Sequence, residues 1–234
     1  MSIIPYTHYH CEGEDTETFL QGQLTADIAA LAVGEDVLAA HCNPKGRVVS
    51  LWRVLKRDDG FVLRVPSALA ETAMNNLKKF MLRAKVRIAV IDKETPHQVR
   101  GDSGSAQDNS VAELIQQGIP EIFPETSEQF TPHDINLPSL GAVSFNKGCY
   151  IGQEIVARMH FLGKIKQHMR CAAVVVSATP GDVVMNDQQQ AVGKVVLSDG
   201  EQALCVVKDA ALETPLFLHE VAMTWQALPY SVKD

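Results

Sequence analysis

Asn43-Pro44-Lys45-Gly46, set between the apolar-rich runs Val37 to Cys42 and Arg47 to Leu55, constrains the fold of this chain more than any other feature. Asparagine at the first position, proline at the second and glycine at the fourth suit a type I turn, so the flanking runs read as an antiparallel hairpin. Arg57-Asp58-Asp59-Gly60 turns the chain again, into a third strand from Phe61 to Val65. Ser67 is placed to cap the next segment, in which Leu69, Ala73, Leu77, Phe80 and Met81 recur at helical spacing. With a further strand from Val86 to Ile91, these elements make an α+β unit of antiparallel strands with helices on one face.

The rest of the chain is of a different kind. Between Asp92 and Ser110 the sequence is polar and irregular, with Pro96, Gly101 and Gly104 among Asp, Ser, Gln and Asn, as expected of a linker. Val111 to Gln117 reads as a short helix ended by Gly118 and Pro120, and a long irregular stretch follows. From His168 onward the pattern is all strand: Met169 to Ser177, Ala191 to Leu197, Ala203 to Lys208 and Val221 to Leu228. Short strands separated by Pro180-Gly181-Asp182 and Asp199-Gly200 predict a small C-terminal β-barrel. The expected division is 1–91 for the α+β module, 92–163 for the linker, short helix and cysteine segment, and 164–234 for the barrel.

Composition narrows the function classes. With 234 residues, 46% of them apolar, the chain can bury a substantial core. No apolar run approaches a membrane span, and Met1 to Tyr6 lacks the basic start and apolar core of a signal peptide, so a cytoplasmic location is expected. A formal charge of −7 argues against coating nucleic acid. The local exception is Arg158 to Arg170, with four fixed positive charges and no acid; such runs are commonly solvated strand edges or loops. Five cysteines with no C-x-x-C pair indicate neither a disulfide framework nor a four-thiolate metal site. Tyr6, His8 and His10 alternate ahead of Cys11, but alternate side chains of a strand share a face without any ligand, and no metal is expected.

Lys147-Gly148-Cys149-Tyr150-Ile151-Gly152-Gln153-Glu154 carries the chemistry. Single cysteines are often small buried hydrophobes. A cysteine between flanking glycines, with a lysine two residues before it and an arginine nine after, reads equally as a thiol kept available for reaction. Ile151 to Phe161 reads as a helix, which puts Cys149 at or just before its N-terminus, where the macrodipole favours a thiolate. Lys147 and Arg158 push the same way, and Glu154 suits a first-turn carboxylate or an i,i+4 partner for Arg158.

The string from Lys147 to Arg158 resembles the signature of the YgfZ proteins, the folate-binding branch of the superfamily that includes the glycine-cleavage T-protein. The resemblance extends to Phe19-Leu20-Gln21-Gly22-Gln23-Leu24-Thr25-Ala26-Asp27, to His41 through Arg47, to Thr131-Pro132 through Phe145, and to the terminal Leu228-Pro229-Tyr230. It implies a folate-binding type of antiparallel sheet followed by a β-barrel. It also implies a tetrahydrofolate cofactor near Tyr6, Lys45, Arg47, Ser110, Tyr150, Gln153, Glu154 and Lys164, with the Arg158 to Arg170 run receiving the folate's glutamate tail. The implied function is support of iron–sulfur cluster assembly or repair, and through enzymes such as tRNA methylthiotransferases an indirect link to tRNA modification. Cys149 would be the functional thiol, with Lys147 and Arg158 lowering its pKa and Gly148 and Gly152 allowing close approach.

One departure matters. Relatives carry a further α+β module before the Gly-x-Pro segment, and here it is largely missing. Gln116 stands where an acid is usual, and Ser110 where an arginine or tryptophan faces folate. Two alternatives follow: a folate-dependent aminomethyl or one-carbon transferase, and a shortened protein-interaction module that has lost folate. Whether the chain turns over a substrate stays open on sequence alone.

Overall fold

The computed structural model describes residues 3–91 and 110–232; the expected linker between them lies outside the described residues apart from Ser110. Strands β1 (Tyr6–Glu12), β2 (Asp36–Cys42), β3 (Val48–Arg57), β4 (Gly60–Pro66) and β5 (Arg87–Ile91) form one antiparallel sheet in the order β2-β3-β4-β1-β5. The hairpin at Asn43 is present: the Gly46 N–H donates to the Asn43 carbonyl at 2.9 Å, and the Asn43 side chain accepts from the N–H groups of Lys45 and Arg47. An Asx-type turn thus reinforces the proline.

The register sorts residues between the two faces of this sheet, because side chains alternate along each strand. Ala39 pairs with Trp52, Val54 with Leu63 and Leu63 with Tyr9, so all five line one face. Leu38 pairs with Arg53, Arg53 with Arg64 and Arg64 with His8, and these share the other face with Tyr6 and Leu51. Helix α1 (Thr16–Gln23) precedes β2, and α2 (Ala70–Lys78) follows β4, where it reaches the Tyr9 face through a hydrogen bond from the Tyr9 hydroxyl to the Ala70 carbonyl. Helix α3 (Val111–Gln117) and the segment after it cover the Tyr6 face, with Leu114, Ile119 and Glu121 against Tyr6, Arg53 and Arg64. Helices therefore lie on both faces, not on one. The reason is visible in β3 and β4, which are buried residue after residue rather than alternately and need cover on each side.

Two capping expectations differ in outcome. Helix α3 has the expected bounds, set by a capping box between Ser110 and Glu113 and by Gly118 in the left-handed region. Ser67 does not cap α2: its hydroxyl accepts from Thr7, and the helix starts three residues later behind Leu69.

Helix α4 (Gln153–Leu162) follows the cysteine segment. Beyond it, β6 (Gln167–Ala173), β7 (Val183–Asn186), β8 (Ala191–Ser198), β9 (Gln202–Lys208), β10 (Leu216–Leu218), β11 (Val221–Ala222) and β12 (Thr224–Gln226) form a second sheet in the order β11-β10-β7-β8-β9-β6-β12. Its two edge strands, β11 and β12, are separated only by Met223, so the sheet must curl until its edges are adjacent, a nearly closed barrel. Ala203, Cys205 and Val207 of β9 fill the barrel, whereas the alternate Leu204 and Val206 belong to the larger core built on the first sheet. The barrel thus packs on the first unit through its outer face. Among the described residues no helix is long and apolar enough to cross a membrane.

Candidate functional site

Three sequence-distant segments meet at the outer edge of β2. Thr25, just past α1, is fully buried; its N–H donates to the Ala40 carbonyl, and its hydroxyl accepts from the Ala40 N–H at 2.9 Å while donating to the Ala142 carbonyl at 2.6 Å. The Ser144 N–H then donates to the Thr25 carbonyl. The Gln21 side chain ties the same loop down, donating to Asp27 at 2.8 Å and accepting from the Ile28 N–H at 2.7 Å. The hairpin tip docks on the start of α4, where Gly46 and Gly152 face each other with φ of +70 and +82°. A Cβ at Gly152 would stand 2.6 Å from the Asn43 carbonyl oxygen, so only glycine allows this approach. Gly148, by contrast, has open space where a Cβ would project, which leaves the backbone beside Cys149 uncovered.

Lys147 locks the junction. Its ammonium donates to the carbonyls of Gln21 at 2.6 Å, Leu24 at 2.8 Å and Ala26 at 2.7 Å, and it lies 5.3 Å from the centre of the Tyr150 ring. Desolvation pulls its pKa down to about 8, against the attraction of Asp27. All three ammonium protons are engaged by the end of α1 and the loop after it, so Lys147 holds that loop and has no proton left to donate to the thiol. Tyr150 is buried, with its hydroxyl pushed up by that burial, and it too serves the interior.

Cys149 is the exposed cysteine; Cys11, Cys42, Cys171 and Cys205 are buried, and burial pushes Cys11 and Cys42 up to about 12. It lies ahead of α4, whose N-cap is Gly152 and whose first turn carries Gln153 and an exposed Glu154. Arg158 is exposed on the same helix, and no ion pair joins it to Glu154 among the described residues. Lys45 is exposed at the hairpin tip, and Arg47 donates to the Gln129 carbonyl at 2.9 Å beside Asp134. Lys164 is exposed just past α4. An accessible thiol on a rigid backbone with an uncovered flank can attack a disulfide sulfur or bind a soft metal transiently.

The structure does not bring Tyr6 or Ser110 to this junction. Tyr6 lies three strands from β2, a separation of about 14 Å at ordinary strand spacing. Its hydroxyl donates to the Glu121 carboxylate at 2.8 Å, and the Arg64 guanidinium covers its ring at 4.4 Å. The cavity these residues line with Leu38, Leu51, Arg53, Leu114 and Ile119 is about 10 Å³, room for one water and not for a pterin. Tyr6 is therefore not presented to a folate ring as expected, because α3 and the segment to Glu121 seal that face. Ser110, also expected at the ligand, caps α3 instead, and Gln116 is exposed on the same helix.

Glu121 and Arg64 escaped sequence reasoning. Burial pushes the Glu121 carboxyl up to about 7, in spite of the Tyr6 hydroxyl, the Ile122 N–H and the cations Arg64 and Arg53. The available signal was a lone charge inside an apolar run, Ile119-Pro120-Glu121-Ile122-Phe123 and Phe61-Val62-Leu63-Arg64-Val65. Among the described residues no group of three or more His, Cys, Asp or Glu side chains is placed to hold a metal ion. Cys11 faces away from Tyr6, His8 and His10.

An antiparallel α+β unit, a barrel on its flank and an exposed thiol segment between them define a protein of the aminomethyltransferase fold. The glycine cleavage system aminomethyltransferase T from Bartonella henselae superposes with a TM-score of 0.67 over 96% of this chain and 83% of its own, at 14% identity, a likeness of fold. The "tRNA-modifying protein YgfZ" of Klebsiella pneumoniae is 30% identical over 95% of this chain and 90% of its own length. An uncharacterized protein of Haemophilus influenzae is 32% identical over 72% of this chain and 71% of its own. No family model matches. The chain belongs to the YgfZ family. Its alignment with the Klebsiella relative runs over 294 positions against 234 residues here, so the relative carries segments that this chain lacks.

Proposed function

We propose that this chain is an accessory factor for iron–sulfur proteins, acting through the Cys149 thiol and linked through such clients to tRNA modification. The observation that carries the reading is the convergence of the three family motifs on one backbone junction that displays Cys149 alone among the cysteines. Folate enters this reading as a weakly held ligand. With Tyr6 sealed and Lys147 engaged, the exposed cations Arg158 and Lys164 are left to attract its glutamate tail.

Two measurements test the proposal. Calorimetric titration with reduced folates should show binding that strengthens with polyglutamate length and weakens with salt. Tight, salt-insensitive binding of a monoglutamyl folate would contradict that picture. In a strain lacking its own YgfZ, the parent chain should restore methylthiolated tRNA and Cys149→Ala should not; full rescue by the variant would reduce the cysteine to a structural residue. A second reading, a protein-interaction module without folate, is favoured by the missing segments, and it predicts no heat with any folate.

A further inference from the structure

The C-terminal half of α4 carries a surface that the thiol site does not use. Phe161 and Leu162 are adjacent and 66% and 84% exposed. Phe161 is not loosely placed. Phe161 sits edge-on to His160 at 4.8 Å and to Phe145 at 5.9 Å, His160 stacks on Phe145 at 3.8 Å, and Phe145 abuts the buried His133 at 6.2 Å. A ring ladder rooted in the core therefore holds Phe161 out to solvent beside the exposed Leu162, a costly arrangement for an isolated surface.

Charge surrounds the pair. Arg158 lies three and four residues before Phe161 and Leu162, hence on the same helix face, and Lys164 and Lys166 follow the helix end, all three exposed. Among the described residues none of the three has a hydrogen-bonding or ionic side-chain partner, whereas Arg53, Lys56, Arg57, Lys85 and Arg87 are each paired with an acid. The helix dipole gives a reason for cations near its C-terminus, but none for the exposed phenylalanine and leucine beside them.

We propose that Phe161 and Leu162, rimmed by Arg158, Lys164 and Lys166, are a docking surface for an acidic protein segment carrying apolar anchor side chains. Charge complementarity chooses the occupant: a cationic rim on a chain of net charge −7 selects an acidic partner. The apolar centre selects a protein over a polyphosphate, which would gain nothing from Leu162. The inference goes beyond the thiol and folate reading and does not depend on it.

The test is fluorescence anisotropy with a labelled synthetic peptide about four helical turns long, made of glutamate and aspartate with leucine and phenylalanine at helical spacing. The full chain should bind it saturably and less tightly as salt rises. The double variant Phe161→Ser/Leu162→Ser should weaken binding by about tenfold or more. Lys166→Glu should weaken it by about threefold and flatten its salt dependence. Both variants should remain folded: Lys166→Glu should melt with the parent, and the double variant should melt only slightly lower, since Phe161 loses its ring contacts to His160 and Phe145. Equal binding of a peptide with lysines in place of the acids, no saturable binding, or unchanged binding by both variants would overturn the proposal. So would binding of single-stranded RNA through these residues without binding of the peptide. Cys149 alkylation should be the same in the parent and in Phe161→Ser/Leu162→Ser, so failure here is distinguishable from failure of the thiol reading.

Discussion

Two polar clusters in this molecule are built on opposite principles. At the edge of β2, Gln21, Thr25 and Lys147 hold backbone groups in good geometry, and the product of that order is a thiol in water. Across the sheet, Tyr6, Glu121 and Arg64 are themselves desolvated, and what they enclose is a cavity for a single water. Strongly perturbed groups are often taken as the mark of a functional site. Here burial perturbs groups in both clusters, Glu121 and Tyr6 in the sealed one and Lys147 and Tyr150 at the junction, yet the accessible thiol lies only at the junction. Perturbation follows burial, whereas reactivity toward a partner needs access.

The sharpest way to break this contrast is to measure access directly. Iodoacetamide labelling resolved by mass spectrometry should modify Cys149 at least about a hundredfold faster than Cys42, Cys171 or Cys205, which react only when the fold opens. Labelling of Cys149 no faster than those three would remove the basis for placing the chemistry at the junction.

Next in size is the lock. Lys147→Met leaves the Gln21, Leu24 and Ala26 carbonyls without their donor, and should lower stability to urea by about 3 kcal/mol. A loss within error of zero would show that water replaces the ammonium and that the junction does not depend on it.

The smallest effect belongs to the sealed cluster and depends on pH. The folded Glu121 carboxyl titrates at about 7, above an unfolded glutamate, so the folded chain keeps a proton that the unfolded chain gives up. Stability is thereby lost as pH rises from about 4.3, the ordinary glutamate value, toward 7, and is level above that. Between pH 5 and pH 8 the loss should be about 2 to 3 kcal/mol, and Glu121→Gln should abolish it. Urea melts at pH 5 and pH 8 of parent and variant make the comparison; equal differences would place Glu121 in contact with solvent.

Much of the fold was legible because its signals are local. Ser110 and Gly118 bound α3 where the sequence predicts, and the Asn43 turn defines its hairpin without help from the rest of the chain. The short strands β7 and β10 and the short helix α1 were not read, because few residues at no clear period leave little pattern to detect. The cysteine motif was read as a reactive segment, and α4 begins two residues later than its expected start.

The sequence by itself determined the family, the antiparallel sheet with its following barrel, and Cys149 as the residue to examine, since each rests on contiguous residues. Only the tertiary structure decided what the neighbouring charges do. Lys147 stands two residues from Cys149 in the chain, yet its ammonium is aimed at three carbonyls from the end of α1 and the loop after it. Tyr6 was offered to a ligand by its place in the family pattern, yet α3 and Glu121 cover it. Adjacency along a chain fixes which residues are near; the direction of a side chain, and whether water reaches it, is set by the segments that fold over it from elsewhere.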